Sequence, residues 1–209
     1  MVSAKIRKAK NKASVNARKT NVVKTKPFKA IKTNVVKTKP FKVVLTNEHV
    51  VSTAKESKEL YSKSRFGEPI DSKIHYSLVE ALYLLERGKI SIYDNNKKLN
   101  RDSFMERANK LEPQFWSRFC VFKNIRDRGY IVKTALKFGA DFRVYDRGIK
   151  PGEDHAKWIV FPVYETSSLT WHEFAAKNRV AHSTKKRLLI AIVDDEGDCT
   201  FYEVSWIRP

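Results

Sequence analysis

The first 45 residues contain no aspartate and no glutamate, yet they carry 14 lysines or arginines. The other 164 residues hold 28 basic and 23 acidic side chains. Most of the formal charge of +19 therefore sits in an appendage, and the body is only mildly basic. Dense like charge and few large apolar groups argue against a packed core in that appendage and predict a disordered arm. Cysteine is scarce too, with only Cys120 and Cys199. Neither lies in a CxxC or at ligand spacing from a histidine. A disulfide framework or zinc knuckle has no support, and buried free thiols are the expectation. No apolar run approaches the roughly 18 residues of a membrane span. The N-terminus also lacks the apolar stretch of a secretory signal. A cytoplasmic protein without a membrane partner is expected.

What is present begins with a repeat. KTNVVKTKPFK runs from Lys19 to Lys29 and again from Lys32 to Lys42, a period of 13 residues. Two copies are too few for a solenoid. Each cation of such an arm adds sequence-blind affinity for phosphate, and salt removes it. The blander reading is a solubilising tail. The overall charge balance points to a polyanionic partner, nucleic acid before membrane.

The folded part is expected to be α/β (α+β). A small N-terminal α/β domain would cover residues 46–112 and a mixed-sheet domain residues 113–209, with the basic arm ending at residue 45. Short strands are predicted at Val43–Leu45 and Val50–Ser52. Ser77 and Glu80 form a capping-box pattern before Leu78, Ala81, Leu82 and Leu85, with Gly88 where a C-cap belongs. A strand over Lys89–Tyr93, a turn at Asp94–Asn96 and a helix from Asp102 to Leu111 complete the first unit. Pro113 suits the first turn of a helix whose stripe is Phe115, Trp116, Phe119, Phe122 and Ile125, closed by Gly129. Strands at Tyr130–Val132 and up to Tyr145 follow, with a connector at residues 134–138 between them. Then come a Gly/Pro loop, a strand from Trp158 to Val163 and a helix near Thr170–Lys177. Three closing stretches are read at Arg179–Ala181, Arg187–Val193 and Thr200–Ile207.

The chemistry concentrates at the loop between the two middle strands. Tyr145 stands at one lip and His155 at the other. Metal-free RNA cleavage needs a base for the ribose 2′-OH, an acid for the departing 5′-oxygen and a cation facing the phosphate. An imidazole titrates near neutrality and suits the acid. A free phenol ionises near about 10 and needs positive charge to come down. Arg143, Arg147 and Lys157 are close in sequence. Lys185 and Lys186 stand at the mouth of the strand Arg187–Val193. On residue type alone, Tyr145 reads first as a packed strand aromatic and His155 as a hydrogen-bonded loop histidine. The acidic run Asp194–Asp198 reads first as a solvated hairpin turn.

GYIVKTALKFGADFRVYDRG, DHAKWIVFPV and RVAHSTKKRLLIAIVDDEGD closely resemble archaeal tRNA-intron splicing endonucleases. The resemblance spans most of residues 77–209, and it implies that residues 113–209 form a catalytic domain of nuclease type. It implies a catalytic triad of Tyr145, His155 and Lys186, with Lys185 as the rival for the third place. It implies that Arg179 holds a flipped bulge nucleotide by cation–π contact. It implies a precursor tRNA with a bulge–helix–bulge element as substrate, cut without metal or other cofactor to 2′,3′-cyclic phosphate and 5′-OH ends. A homotetramer is implied first and a heterotetramer second, with the C-terminal strand pairing across a dimer. The acidic loop Asp194, Asp195, Glu196 and Asp198 would seat in a basic pocket of another subunit. The alternative is a non-catalytic RNA-binding or structural subunit of the same assembly. A Lys-rich arm is a departure from the pattern.

Overall fold

The computed structural model describes residues 39–135 and 139–207. The basic repeat up to residue 38, and residues 136–138 of the expected connector, lie outside the described residues. The elements in chain order are β1 (Phe41–Leu45), β2 (Val50–Ser52), α1 (Lys55–Ser64), β3 (Glu68–Ile70), β4 (Lys73–Tyr76), α2 (Leu78–Glu86), β5 (Ile90–Asp94) and β6 (Lys97–Lys98). Then follow α3 (Arg101–Leu111), α4 (Phe115–Asp127), β7 (Ile131–Thr134), β8 (Phe142–Tyr145), β9 (Trp158–Tyr164), α5 (Trp171–Ser183), β10 (Arg187–Val193) and β11 (Cys199–Val204). The mixed α+β class expected from the sequence is the class observed.

Alternation builds the first sheet, which runs β3-β4-β2-β1-β5-β6. Val43, Leu45, Val50, Ile74 and Tyr76 point inward, while Lys42, Val44 and Lys73 are exposed. That is the period of two of a half-buried sheet. Only β1 and β5 pair in parallel; the other neighbours are antiparallel. Because β1 starts at Phe41, the arm expected to run through residue 45 yields its last five residues to this sheet. The strand expected at Val43–Leu45 begins two residues earlier. A second departure is α1, KESKELYSKS, which carries no apolar stripe and fully buries only Ser57.

The second sheet runs β11-β10-β9-β8-β7, with β9 and β10 parallel. Its central strands β9 and β10 read as nearly continuous apolar runs because both faces are covered there. On one side Val132, Phe142, Val144, Val160, Ala191 and Val193 pack with α4 residues such as Phe119 and Phe122. On the other side Ile159, Phe161, Leu188 and Ile190 pack with Ala181 of α5. The first of these clusters also takes in Val43, Ile92 and α2, so one core joins both sheets. Helix α2 is buried on nearly every side, as its composition requires. Both halves of its Ser77–Glu80 capping box form.

Helix α5 runs on through Arg179–Ala181, which the sequence reading had set apart from the helix as a separate closing stretch. A Thr170–Glu173 capping box starts it. It stops in a Schellman motif, with Lys185 N–H donating to the His182 carbonyl (3.0 Å) and Lys186 N–H to that of Ala181 (2.9 Å). Lys185 takes the left-handed conformation (φ 53°) that glycine usually fills there. At Gly197 the need for glycine is steric. A Cβ would meet Cys120 Sγ at 3.1 Å and the Trp116 ring at 3.2 Å. Both cysteines are free, and burial pushes the Cys120 thiol up to about 12 and that of Cys199 to about 11. Among the described residues no helix is long and apolar enough to cross a membrane.

Candidate active site

Strand β8 sets the site by its parity. Phe142 and Val144 face α4, so Arg143 and Tyr145 face the opposite side. Arg143 pairs with Lys133 of β7 and with Ile159 of β9. The alternation that buries Leu188 and Ile190 carries Lys186 to that same side. The Schellman turn fixes its backbone, and its Nζ donates to the Thr184 carbonyl at 2.9 Å.

The loop from β8 to β9 is closed at its base. Lys157 Nζ reaches Asp146 Oδ2 at 2.8 Å, and Lys157 N–H donates to the Val144 carbonyl at 2.9 Å. Gly148 (φ 82°) and Gly152 (φ 95°) supply the left-handed turns. The His155 backbone N–H donates to Asp154 Oδ1 at 2.6 Å, and its side chain stands exposed at the loop's lip.

A cavity of about 420 Å³ is lined by Arg143, Tyr145, Lys186 and the loop residues Gly152 to Ala156. Three segments distant in the chain thus bring Tyr145, His155 and Lys186 to one depression. Lys186 is among its lining residues and Lys185 is not. The arrangement offers a phenol, an imidazole and two cations around a space that admits a phosphate. Among the described residues no three His, Cys, Asp or Glu side chains converge to hold a metal ion.

The electrostatics of Tyr145 run against the simplest expectation. Burial raises its pKa above the ordinary value, Glu68 nearby raises it further, and only Arg143 opposes them. The other two cations named from sequence are engaged elsewhere. Arg147 lies 4.8 Å from the centre of the Tyr130 ring, and Lys157 is held by Asp146. In the free protein Tyr145 is a protonated phenol at neutral pH.

Arg179 does not line this cavity. It lies exposed on α5, beside a larger apolar groove of about 770 Å³ with Phe174, His182, Val204, Trp206 and Ile207. The acidic run forms the turn between β10 and β11. Asp194 Oδ1 accepts from the amides of Glu196 (3.1 Å) and Asp198 (2.8 Å), and Asp195 accepts from the Tyr164 hydroxyl. Two residues escaped the sequence reading. Arg143 was weighed only as a neighbour of Tyr145, and Lys133, now buried, was not singled out. Their side-by-side position follows from the β7–β8 register, which no local pattern announces.

Two family models match the chain. One describes the tRNA intron endonuclease N-terminal domain and covers residues 41–105. The other describes the catalytic C-terminal domain of the same enzyme and covers residues 115–201. A tRNA-splicing endonuclease of Thermococcus onnurineus is 40% identical over 154 residues, 74% of this chain and 88% of that protein. One of Thermococcus kodakarensis is 43% identical over 149 residues, 71% and 87% of the two chains. One of Nanoarchaeum equitans is 45% identical over 138 residues, 63% and 88%.

Proposed function

The chain belongs to the tRNA intron endonuclease family, and we propose that it excises introns by metal-independent transesterification at bulge–helix–bulge sites in precursor tRNA. Intron removal from tRNA is the family's activity; the residues lining the cavity support the chemistry proposed for it. The 2′-oxygen beside the cut bonds to phosphorus, and the bond from phosphorus to the next 5′-oxygen breaks. Tyr145 takes the 2′-OH proton. His155 gives its proton to the departing oxygen. Lys186 faces the charge that builds on the phosphorus centre. The products are a 2′,3′-cyclic phosphate and a 5′-OH, with no water consumed. The observation that carries this reading is the single cavity lined by Tyr145, His155 and Lys186. Its test is the chemistry of the cut ends in excess EDTA. Cyclic phosphate and 5′-OH are expected at an undiminished rate; 5′-phosphate ends, or silence until Mg²⁺ is restored, would overturn it.

Arg179, exposed on α5, is proposed to clamp a bulge nucleotide, and the arm before residue 39 to add phosphate affinity. The acidic turn is proposed to join subunits, in a homotetramer by preference. Asp194 is a poor probe of that role because its carboxylate holds the turn itself. Glu196 is a better one: only its backbone amide serves the turn. Glu196→Arg is expected to lower the sedimentation coefficient and leave the far-UV circular dichroism unchanged. An unchanged coefficient would make the run a turn and nothing more.

A further inference from the structure

The strand that carries Tyr145 is surrounded by cations, and they differ in what they face. Lys133 is 4% exposed and has Glu68 at 3.2 Å, Glu80 at 3.9 Å and the Gly67 carbonyl at 2.5 Å. Lys157 has Asp146, and Arg147 covers Tyr130. Arg143 sits directly across from Lys133 in the sheet, and its situation is the reverse. Its Nε is buried and meets no hydrogen-bond partner among the described residues. Its guanidinium lies 5.9 Å from the centre of the Tyr145 ring and lines the same cavity as His155 and Lys186.

A charge drawn out of water requires a counter-charge or hydrogen bonds in exchange. Lys133 has both; among the described residues the half-buried Arg143 has no carboxylate at ion-pair distance and its buried Nε has no acceptor, although the two are neighbours. The difference is that Arg143 opens on the cavity. An anion that enters would complete it, and a guanidinium fork matches two phosphate oxygens at once.

We propose that Arg143 is a second cation of the reaction, holding the non-bridging oxygens of the phosphate that is cut. The assignment rests on the reading of Tyr145, His155 and Lys186 given above. Its place in the strand fits that task. The 2′-OH and the phosphate it attacks belong to adjoining atoms of one nucleotide, so their receptors must be neighbours. Arg143 and Tyr145 are two residues apart on one side of one strand. Negative charge on the non-bridging oxygens grows as the fifth bond to phosphorus forms. A cation fixed there beforehand favours the transition state over the ground state.

Arg143 also acts on Tyr145, whose proton it helps to loosen against the effects of burial and Glu68. The test has to separate the two roles. Single-turnover cleavage is measured for wild type, Arg143→Gln and Arg143→Lys on RNA with phosphate or with either phosphorothioate diastereomer at the cut. Arg143→Gln is expected to lose about 10²-fold in rate, with a smaller loss in binding. Wild type is expected to discriminate between the diastereomers, and Arg143→Gln to lose that discrimination. Arg143→Lys, which keeps the charge without the fork, should recover part of the rate. Wild-type rate in Arg143→Gln would overturn the proposal. So would a slow variant that still discriminates, since its defect would run through Tyr145 alone. If Arg143→Gln does not fold, Arg143→Lys carries the same diastereomer comparison. Failure of the underlying triad reading is seen separately, as wild-type rates in Tyr145→Phe and His155→Ala.

Discussion

His155→Ala slows cleavage by about 10²–10⁴-fold and leaves RNA affinity nearly unchanged, if His155 is the acid that protonates the departing 5′-oxygen. The structure makes this a clean substitution. The imidazole is exposed at the loop's lip, and the hydrogen bond to Asp154 is made by the backbone N–H, which alanine retains. No core cavity opens, so stability should not move. A substrate with deoxyribose at the cut removes the nucleophile and should bring wild type and variant to the same baseline. The pH dependence adds a second reading. Burial keeps the Tyr145 phenol protonated at neutral pH. Tyr145 must lose that proton before it can take the one from the 2′-OH. In His155→Ala only the phenolate matters, and the residual rate rises about tenfold per pH unit until the phenol titrates. A flat residual profile would remove Tyr145 as the base. Equal losses of rate and binding would make His155 a binding residue.

What the sequence disclosed was local. The Ser77–Glu80 box, the aromatic stripe of α4 and the apolar runs of β9 and β10 each carry their own period, and each is in place. What stayed hidden depends on partners far along the chain. Helix α1 lies on the surface without an apolar stripe, so no period marks it. Arg179–Ala181 carries no helical period of its own in so short a run, yet it continues a helix started nine residues earlier by Thr170. For the site, residue types raised Tyr145, His155 and the Lys185–Lys186 pair, the family resemblance chose the triad, and the sheet order carries Tyr145, His155 and Lys186 to one cavity. The charge around them was misjudged. Nearness in sequence put Arg147 and Lys157 beside Tyr145, whereas the loop turns both toward other partners. Arg143 stood out only once Lys133 was seen beside it, joined to a carbonyl 66 residues away.

That buried lysine leads to the largest expected change in stability. Glu80→Ala should cost about 3–5 kcal/mol, the range for removing one partner of a buried ion pair. Glu80 accepts from Gly67 N–H (3.0 Å), from Ser77 N–H (3.1 Å) and from the Ser77 hydroxyl (3.0 Å), besides facing Lys133. Alanine orphans a buried amide, breaks the capping box of α2 and leaves Lys133 with Glu68 as its one carboxylate. Lys133→Met should cost less, about 1–3 kcal/mol. The stem still packs, Glu80 keeps its three hydrogen bonds, and only the Gly67 carbonyl loses a donor. Glu68 is half exposed and water can take over. Urea unfolding at pH 7 of both variants and of the double variant measures the coupling. The double variant should lose less than the sum of the two, because an apolar side chain no longer needs the carboxylate. Additive losses would mean that Glu80 and Lys133 do not sense one another at 3.9 Å. Gly67 could not then be relaxed to make up the difference. A Cβ there would stand 2.4 Å from Ile74 Cγ2 and 3.0 Å from the His75 carbonyl oxygen. The lysine beside Arg143 is thus held by the Gly67 carbonyl and by Glu68 of the other sheet.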